Sequence, residues 1–286
     1  MTISPDDRPD HQPRRPDDRL ACLVLAAGLG TRMRPFTDHV PKPLLTVDNE
    51  PLLERSLRLA HRFTDAVAVN THHLADQVAR FVERWGVHVS HEERLLGTAG
   101  AVGNLAAWLQ GRDVLILNAD TWLEDVPEAF VAGWDRRAPR LLVTDVGRPS
   151  DFGTRRFVGA SLLPGAVAAA LPAEPEGLYE TVWVPAGDRL QLFETDAHAY
   201  DCGTPEEFIR ANLEVSRAPS VVHPTARPGG PVVGSVFLEG ATSPPGTTSV
   251  GEIRDRFGNV HAVVDVTAAA GGGLSVGPDR MEPWRG

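Results

Sequence analysis

From Leu20 onward the chain alternates short apolar runs with amphipathic segments, and this alternation constrains the fold more than any other feature of the sequence. The run 20–28 is continuously apolar and ends in glycine, as expected of a strand that is buried on both faces. Strands and helices in steady alternation predict an α/β fold with a doubly wound, mostly parallel, Rossmann-like sheet. The predicted strands are 20–28, 65–70, 87–93 and 113–120, and the predicted helices are 51–63, 74–85 and 97–110.

Both ends of the chain differ in composition from this alternating region. Residues 1–19 carry mixed charge and proline without an apolar stretch, which predicts a disordered arm and argues against a secretory signal. The alternating region 20–217 is expected to form one domain. Residues 218–286 are rich in Gly, Pro, Ser and Thr and lack helical periodicity, so we expect a short irregular or β-rich extension that ends in a flexible tail.

Charge and cysteine content narrow the classes of function. The formal net charge is -10 and no basic stripe stands out, which argues against a nucleic-acid partner, although local Arg and Lys can still bind acidic small molecules. Cys22 and Cys202 are too few for a disulfide framework and favour a reducing compartment. No run approaches the roughly 20 apolar residues of a membrane span. We therefore expect a cytoplasmic protein that acts on small molecules and has no membrane partner.

Two glycines follow the first predicted strand, at the sheet edge where open α/β sheets bind their ligands. Gly28 and Gly30 allow a tight turn whose backbone N–H groups can approach a phosphate. No third glycine completes the dinucleotide fingerprint, and the Gly-Lys-Ser/Thr of a P-loop is absent. Thr31 and Arg32 come next, and Lys42 stands between two prolines that stiffen its loop. The segment predicts a clamp for a polyphosphate chain.

Two aspartates lie at the ends of predicted strands. Asp120 ends the strand 113–120, where a carboxylate can bind a hard cation together with substrate phosphates or can simply begin a turn. Asp201 ends a short predicted strand just before a helix start. Thr204 and Glu207 form a capping box there, which explains both residues by helix initiation but leaves Asp201 unexplained.

The segments AAGLGTRMRP at 26–35 and PKPLL at 41–45 together resemble the signature of the sugar-1-phosphate nucleotidyltransferases, also called NDP-sugar pyrophosphorylases. The resemblance extends over roughly residues 20–215. It implies a transferase of the EC 2.7.7 class that joins a nucleoside triphosphate to a sugar 1-phosphate, releases pyrophosphate and uses Mg²⁺. It assigns the triphosphate to Ala26, Gly28, Gly30, Thr31 and Arg32, catalysis to Arg32, Lys42 and Asp120, and the metal to Asp120 and Asp201.

The segment 91–102 resembles the base-binding segment of mannose-1-phosphate guanylyltransferases in particular. It implies nucleotide contacts from Glu92, Gly97 and Thr98. The Glu92 carboxylate could accept from two guanine N–H groups where uracil offers one, or it could be a solvated surface charge. GTP with mannose 1-phosphate is therefore the first expectation for the substrates, and UTP or dTTP with a sugar 1-phosphate is the alternative.

The same resemblance assigns the sugar to Asn118, Tyr179 and Glu180, with an exposed helix charge as the alternative for Glu180. One segment departs from the family. Relatives usually have a hairpin and a Val-Glu-Lys-Pro segment whose lysine binds the sugar phosphate, whereas residues 144–164 are expected to run straight into the next helix without that lysine. The candidates to replace it are Arg155 and Arg156.

The extension also bears on assembly. Some relatives append a left-handed β-helix, and Val222, Val233 and Val236 would begin one degenerate turn of it. Because a β-helix needs several repeats to bury its core, we expect a small remnant or a homo-oligomer contact.

Two other classes of function stay open. The missing lysine favours a catalytically silent nucleotide-sugar-binding regulatory protein, but the presence of Arg32, Lys42, Asp120 and Asp201 argues against it. A dinucleotide oxidoreductase would use a similar sheet, and the absent third glycine argues against that class.

Overall fold

The structure, a computed structural model, describes residues 18–263. Most of the predicted arm and all of the predicted tail, residues 1–17 and 264–286, lie outside the described residues. Within them the predicted alternation is confirmed, with bounds that differ by a few residues. The helices are α1 Leu52–Ala60, α2 Ala75–Val82, α3 Gly97–Asn104, α4 Ala106–Leu109, α5 Glu128–Ala132, α6 Gly165–Ala168, α7 Val184–Ala186 and α8 Pro205–Ser216. The strands are β1 Leu20–Leu25, β2 Thr46–Val47, β3 Glu50–Pro51, β4 Val67–Thr71, β5 His88–His91, β6 Asp113–Asn118, β7 Thr121–Leu123, β8 Arg140–Ser150, β9 Gly153–Leu163, β10 Gln191–Glu194, β11 Ala199–Asp201, β12 Val221–Val222, β13 Val232–Val233, β14 Val236–Phe237, β15 Ser249–Val250, β16 Glu252–Arg254 and β17 Val260–Ala262.

The central sheet has seven strands among the described residues, in the spatial order β10, β8, β9, β6, β1, β4 and β5. The pairs β6–β1, β1–β4, β4–β5 and β10–β8 are parallel, whereas β9 runs antiparallel to both of its neighbours. The sheet is therefore mostly parallel, as the alternation predicts. The carboxyl ends of β1, β4 and β6 meet at one edge of the sheet, which is the edge where such folds bind ligands.

The side chains of β1 alternate between two apolar layers. Cys22 and Val24 pack against the layer that contains α1 and α2. Ala21 and Leu23 pack against the layer that contains α3 and α4. Since both faces of the strand are covered, it has no solvent face, and its sequence is continuously apolar rather than alternating.

The expectation that residues 144–164 run straight into the next helix was wrong. β8 and β9 form a long antiparallel hairpin whose turn lies at Asp151 and Phe152. The Asp151 carboxylate accepts the backbone N–H of Phe157 at 2.9 Å, and Gly153 takes a φ of 70°. Pro, Ser, Asp and Gly in this turn are residues that favour chain reversal, so the sequence held the signal.

The chain beyond α8 forms a stack of short strands within residues 218–263. β12, β14 and β16 pair in parallel, with Val221 beside Val236 and Val236 beside Ile253, and β13 pairs in parallel with β15. These three side chains are buried and share one apolar cluster with Phe36, which follows the glycine turn. The extension is thus β-rich, and it repeats more than the single turn expected from the sequence.

α8 ends at Ser216, and Arg217 follows in a left-handed conformation with a φ of 53°. The division into domains at residue 217 stays a prediction, because the apolar cluster crosses it. No helix between residues 18 and 263 combines the length and the apolar character that a membrane crossing requires.

Candidate active site

A tight turn after β1 leads into the helical turn Thr31–Met33. Gly30 has a φ of 63°, and a Cβ there would lie 2.9 Å from the side chain of Thr37, so glycine is required. The Thr37 hydroxyl also donates to the carbonyl of Gly30 at 2.8 Å. Gly28, in contrast, faces open space, since a Cβ there would meet no atom within 4 Å. The turn is fixed at Gly30 and open at Gly28, which leaves room for a ligand beside the exposed Arg32.

Lys42 lies in the next part of this loop and forms an ion pair with Asp120, just beyond the end of β6. Its Nζ donates to Oδ2 of Asp120 at 2.9 Å, and the two side chains are 8% and 45% exposed. Burial alone would lower the pKa of Lys42, but the charges of Asp120 and Asp201 raise that pKa above its ordinary value. Desolvation opposes the charge of Asp120, yet the Lys42 ammonium holds the pKa of that carboxyl below its usual range. Both groups are charged at neutral pH, and Asp120 stays accessible to a ligand.

The antiparallel pairing of β11 with β7, two strands far apart in sequence, brings Asp201 beside Asp120. Asp201 lies opposite Thr121 in this antiparallel pair, and the backbone N–H of Cys202 donates to the carbonyl of Asp120 at 3.1 Å. Desolvation, followed by the charge of Asp120, raises the pKa of Asp201 to about 6. Two carboxylates that repel each other in this way are stabilised by a shared cation.

Gly203 allows Arg32 to approach the second aspartate. A Cβ on Gly203 would lie 2.9 Å from Nη2 of Arg32 and 3.1 Å from carboxylate oxygens of both Asp201 and Glu207. The capping box predicted for α8 is confirmed: the Glu207 N–H donates to the Thr204 hydroxyl at 3.3 Å, and the Thr204 N–H donates to Glu207 at 3.0 Å. The helix start therefore fixes the backbone directly after Asp201.

Asn70, in β4, connects two segments of the candidate site and was missed by the sequence analysis. Its amide Oδ1 accepts the backbone N–H of Ala26 at 2.6 Å, and its Nδ2 donates to Oε1 of Glu92 at 2.8 Å. Oε2 of Glu92 accepts the backbone N–H of Leu96 at 3.0 Å. Glu92 is only 1% exposed, so the alternative of a solvated surface charge was wrong. The available signal was a polar residue directly after the apolar run that begins β4.

Three glycines on one face of α3 form a surface that we call the glycine track, on which the backbone of residues 172–176 lies. A Cβ on any of the three would come within 2.4 Å of a backbone carbonyl oxygen of that segment. The adjoining Thr98 hydroxyl accepts the backbone N–H of Leu178 at 2.8 Å. The track ties the predicted base-binding segment to the chain that leads into Tyr179. Its members are Gly97, Gly100 and Gly103.

The residues expected at the sugar lie in two places. Asn118 ends β6, two residues before Asp120. Tyr179 begins a π-helical turn and packs between Phe152 and Trp183, with ring centroids 6.2 and 6.3 Å away. Glu180 follows it and is exposed. The sugar contacts of Asn118, Tyr179 and Glu180 stay predictions.

The two arginines expected to replace the missing lysine have different surroundings. Arg155 pairs with Glu194 at 2.5 Å. Arg156 lines a pocket of about 190 Å³ together with Tyr200 and Asp201. Of the two, Arg156 is the one that shares a pocket with a predicted metal ligand.

Asp120 and Asp201 suit a hard divalent cation. Mg²⁺ is usually held in proteins by one or two carboxylates and completes its shell with water and substrate phosphates. Across residues 18–263 no group of three or more His, Cys, Asp or Glu side chains is placed to hold a metal ion. His72 and His73 each bond a backbone carbonyl instead. A cation at the two aspartates would therefore depend on the substrate for further oxygen ligands.

Residues 22–187 match the family described as the MobA-like NTP transferase domain. Among similar proteins, the mannose-1-phosphate guanyltransferase of Candida albicans is 27% identical over 239 residues, which cover 71% of this chain and 66% of the relative. The catalytic subunit beta of mannose-1-phosphate guanylyltransferase from Xenopus tropicalis is 24% identical and covers 77% and 71%. The N-acetylmuramate alpha-1-phosphate uridylyltransferase of Caulobacter vibrioides is 37% identical over 126 residues, 40% of this chain and 52% of the relative. The chain thus spans about two thirds of the length of the guanyltransferases.

Solved structures share the fold. The mannose-1-phosphate geranyltransferase from Thermus thermophilus superposes with a TM-score of 0.65 at 18% identity, covering 86% of this chain and 95% of that chain. HddC from Yersinia pseudotuberculosis complexed with GMP-PN superposes with a TM-score of 0.56 at 20% identity, covering 68% and 99%. Because the family match spans more than half of the residues, the chain belongs to the MobA-like NTP transferase family.

Proposed function

We propose that this protein transfers a nucleotidyl group from a nucleoside triphosphate to a sugar 1-phosphate, giving an NDP-sugar and pyrophosphate. The observation that carries the proposal is the convergence of Lys42, Asp120 and Asp201 beside an open glycine turn, at the ligand-binding edge of the sheet. The names of the relatives, which describe guanylyl and uridylyl transfer to sugar 1-phosphates, support the same reaction class.

The residues work by positioning and by stabilising charge. An oxygen of the sugar phosphate attacks the α-phosphorus in line, and the bond from that phosphorus to the pyrophosphate oxygen breaks as the new bond forms. Backbone N–H groups of the turn from Gly28 to Thr31 hold the triphosphate, while the N–H of Ala26 is donated to Asn70, and Arg32 stabilises the charge that develops on pyrophosphate. Lys42, fixed by its ion pair with Asp120, neutralises the phosphates. No side chain forms a covalent bond with the substrate.

Asp120 and Asp201 are the proposed ligands of Mg²⁺, which when bound supplies positive charge to the phosphate that is attacked. The buried position of Asp201 and its closeness to Asp120 support this assignment, since burial first and the charge of Asp120 second raise the pKa of Asp201. Activity is expected to disappear with EDTA and to return with added Mg²⁺. Full turnover in the presence of excess chelator would contradict the assignment.

For the substrates we propose GTP and mannose 1-phosphate, with base contacts from Gly97 and Thr98 and sugar contacts from Asn118, Tyr179 and Glu180. The guanyltransferase relatives support this choice because they match most of the chain. The alternative is UTP or dTTP with another sugar 1-phosphate. It is favoured by the uridylyltransferase relative, whose match is shorter but more identical.

The deciding experiment measures pyrophosphate release with Mg²⁺ for five nucleoside triphosphates against a panel of sugar 1-phosphates. Release that requires one triphosphate and one sugar phosphate is the expected result and identifies both substrates. If folded protein releases no pyrophosphate with any substrate pair but still binds nucleotide sugars in calorimetry, the result would instead support a catalytically silent regulatory protein.

We also propose a cytoplasmic location, supported by two buried cysteines that form no disulfide. A homo-oligomer through the extension stays a prediction. Light scattering coupled to size-exclusion chromatography would decide it, and a single monomeric mass would contradict it.

A further inference from the structure

Glu92 has almost no accessible surface with which to contact a base. Contact with a base edge would require this carboxylate to leave its buried position and give up a hydrogen bond that it already makes. Glu92 is 1% exposed and Asn70 is 3% exposed, and both lie inside the fold. Each Glu92 oxygen already accepts a hydrogen bond, from Asn70 and from the backbone of Leu96.

These hydrogen bonds join the two segments proposed to hold the nucleotide. Asn70 accepts the N–H of Ala26, the first residue of the glycine turn, and donates to Glu92. Glu92 in turn accepts the N–H of Leu96, which directly precedes Gly97. The backbone of Glu92 is itself fixed, since its N–H donates to the carbonyl of Thr71 at 2.8 Å.

We propose that Asn70 and Glu92 form a positioning pair that sets the separation between the phosphate-binding turn and the base-binding segment. The pair governs nucleotide binding without touching the nucleotide, and base selection comes from other groups. This inference rests on the proposed function and deepens it, because it replaces a direct base contact of Glu92 with an indirect role.

The hydrogen-bond directions allow the pair to be tested by exchanging the amide of position 70 with the carboxylate of position 92. Glu92→Gln alone turns an amide donor toward another donor, either the Asn70 amide or the Leu96 N–H. Asn70→Asp alone places two carboxylates within hydrogen-bond distance in a buried site. The double variant restores every contact: the carboxylate introduced in β4 would accept from Ala26 and from the new amide, whose oxygen would accept from Leu96.

The experiment measures KM for the triphosphate, KM for the sugar phosphate and kcat in wild type, both single variants and the double variant. Each single variant is expected to raise KM for the triphosphate about tenfold, since a buried donor or charge loses its partner. KM for the sugar phosphate is expected to stay within about twofold, and the double variant to recover KM for the triphosphate to within about threefold. Glu93→Gln, at the exposed neighbouring carboxylate, is the matched control and should match wild type.

Base preference is measured on the same four proteins. An unchanged ranking of triphosphates in the double variant supports the positioning role, whereas a changed ranking would show that Glu92 contacts the base and would overturn the proposal. Failure of the double variant to recover, with its thermal unfolding equal to that of wild type, would overturn it as well. Inactivity of wild type with every substrate pair would instead overturn the proposed function, and this inference with it.

Discussion

At the scale of single residues, Asp120 has two roles in the candidate site. A single substitution is expected to remove both roles while the protein still folds. It pairs with the buried Lys42 and is proposed to bind the metal. Asp120→Asn is expected to lower kcat at least about 100-fold, because the charge that holds Lys42 and the cation is lost. The check is pyrophosphate release together with circular dichroism. Asp125→Asn, which removes a surface partner of Arg62, is the control and should keep full activity. An Asp120→Asn protein that is as active as wild type would refute the metal assignment.

The two thiols give a prediction about accessibility. Cys22 and Cys202 are both fully buried, and burial raises the pKa of each thiol well above its ordinary value. Thiolates are the reactive form, so neither residue is expected to react with Ellman's reagent at pH 8 in the native protein. Both are expected to react after unfolding in guanidinium. One fast-reacting thiol in the native protein would show that the packing around β1 or β11 is different.

Residue roles that depend on a local motif could be predicted, and those that depend on distant partners could not. Lys42, Asp120 and Asp201 stand in segments that resemble a family signature, and the structure places them together. Asn70 gave only the weak signal of a polar residue directly after a short apolar run. The burial of Glu92 depends on contacts with residues four and 22 positions away, and no spacing rule in the sequence connects those partners.

At the scale of elements, the glycine track predicts a strong steric effect. A Cβ on Gly100 would lie 2.0 Å from the carbonyl oxygen of Glu174, and the backbone there has little freedom to move. Gly100→Ala is expected to lower the free energy of unfolding by about 2 kcal/mol or more, despite the better helix propensity of alanine. Urea denaturation measures the change. Gly28→Ala, where a Cβ has open space, is the control and should change stability by less than about 0.5 kcal/mol. Equal free energies of unfolding for the two variants would contradict the close approach of residues 172–176 to the glycine track.

The elements themselves were predictable where periodicity ran long enough. β1 and α1 follow clear apolar patterns, and their existence is confirmed. The β8–β9 hairpin was not predicted, although the turn residues around Asp151 favour a chain reversal. The strands beyond α8 are two or three residues long, so each carries no period of its own, and only their pairing across 15 to 17 positions reveals them.

At the scale of the whole molecule, one apolar cluster joins the extension to the transferase fold. Ile253 of β16 is fully buried in the cluster that includes Phe36 of the loop after the glycine turn and Phe208 of α8. The two regions are therefore expected to unfold in a single transition. Ile253→Ala should lower the free energy of unfolding by about 2–4 kcal/mol, and tryptophan fluorescence should report it, because Trp122 packs against the same cluster.

The control for this prediction is Val260→Ala on β17, where the side chain is 45% exposed and little stability should be lost. Circular dichroism and fluorescence should give the same midpoint for each protein. A fluorescence transition that Ile253→Ala leaves unchanged would show that the extension unfolds separately.

β17, the last strand within residues 18–263, limits how the stack can grow. β12, β14 and β16 repeat in parallel, and a stack of this kind offers a free edge to which another strand can add. β17 reverses direction and occupies the edge of β16, and Asp255 fixes the reversal by accepting the N–H groups of Phe257 and Asn259. A further parallel strand at this edge would therefore have to displace β17. Because β17 already pairs with the edge of β16, a strand of a second molecule cannot pair there.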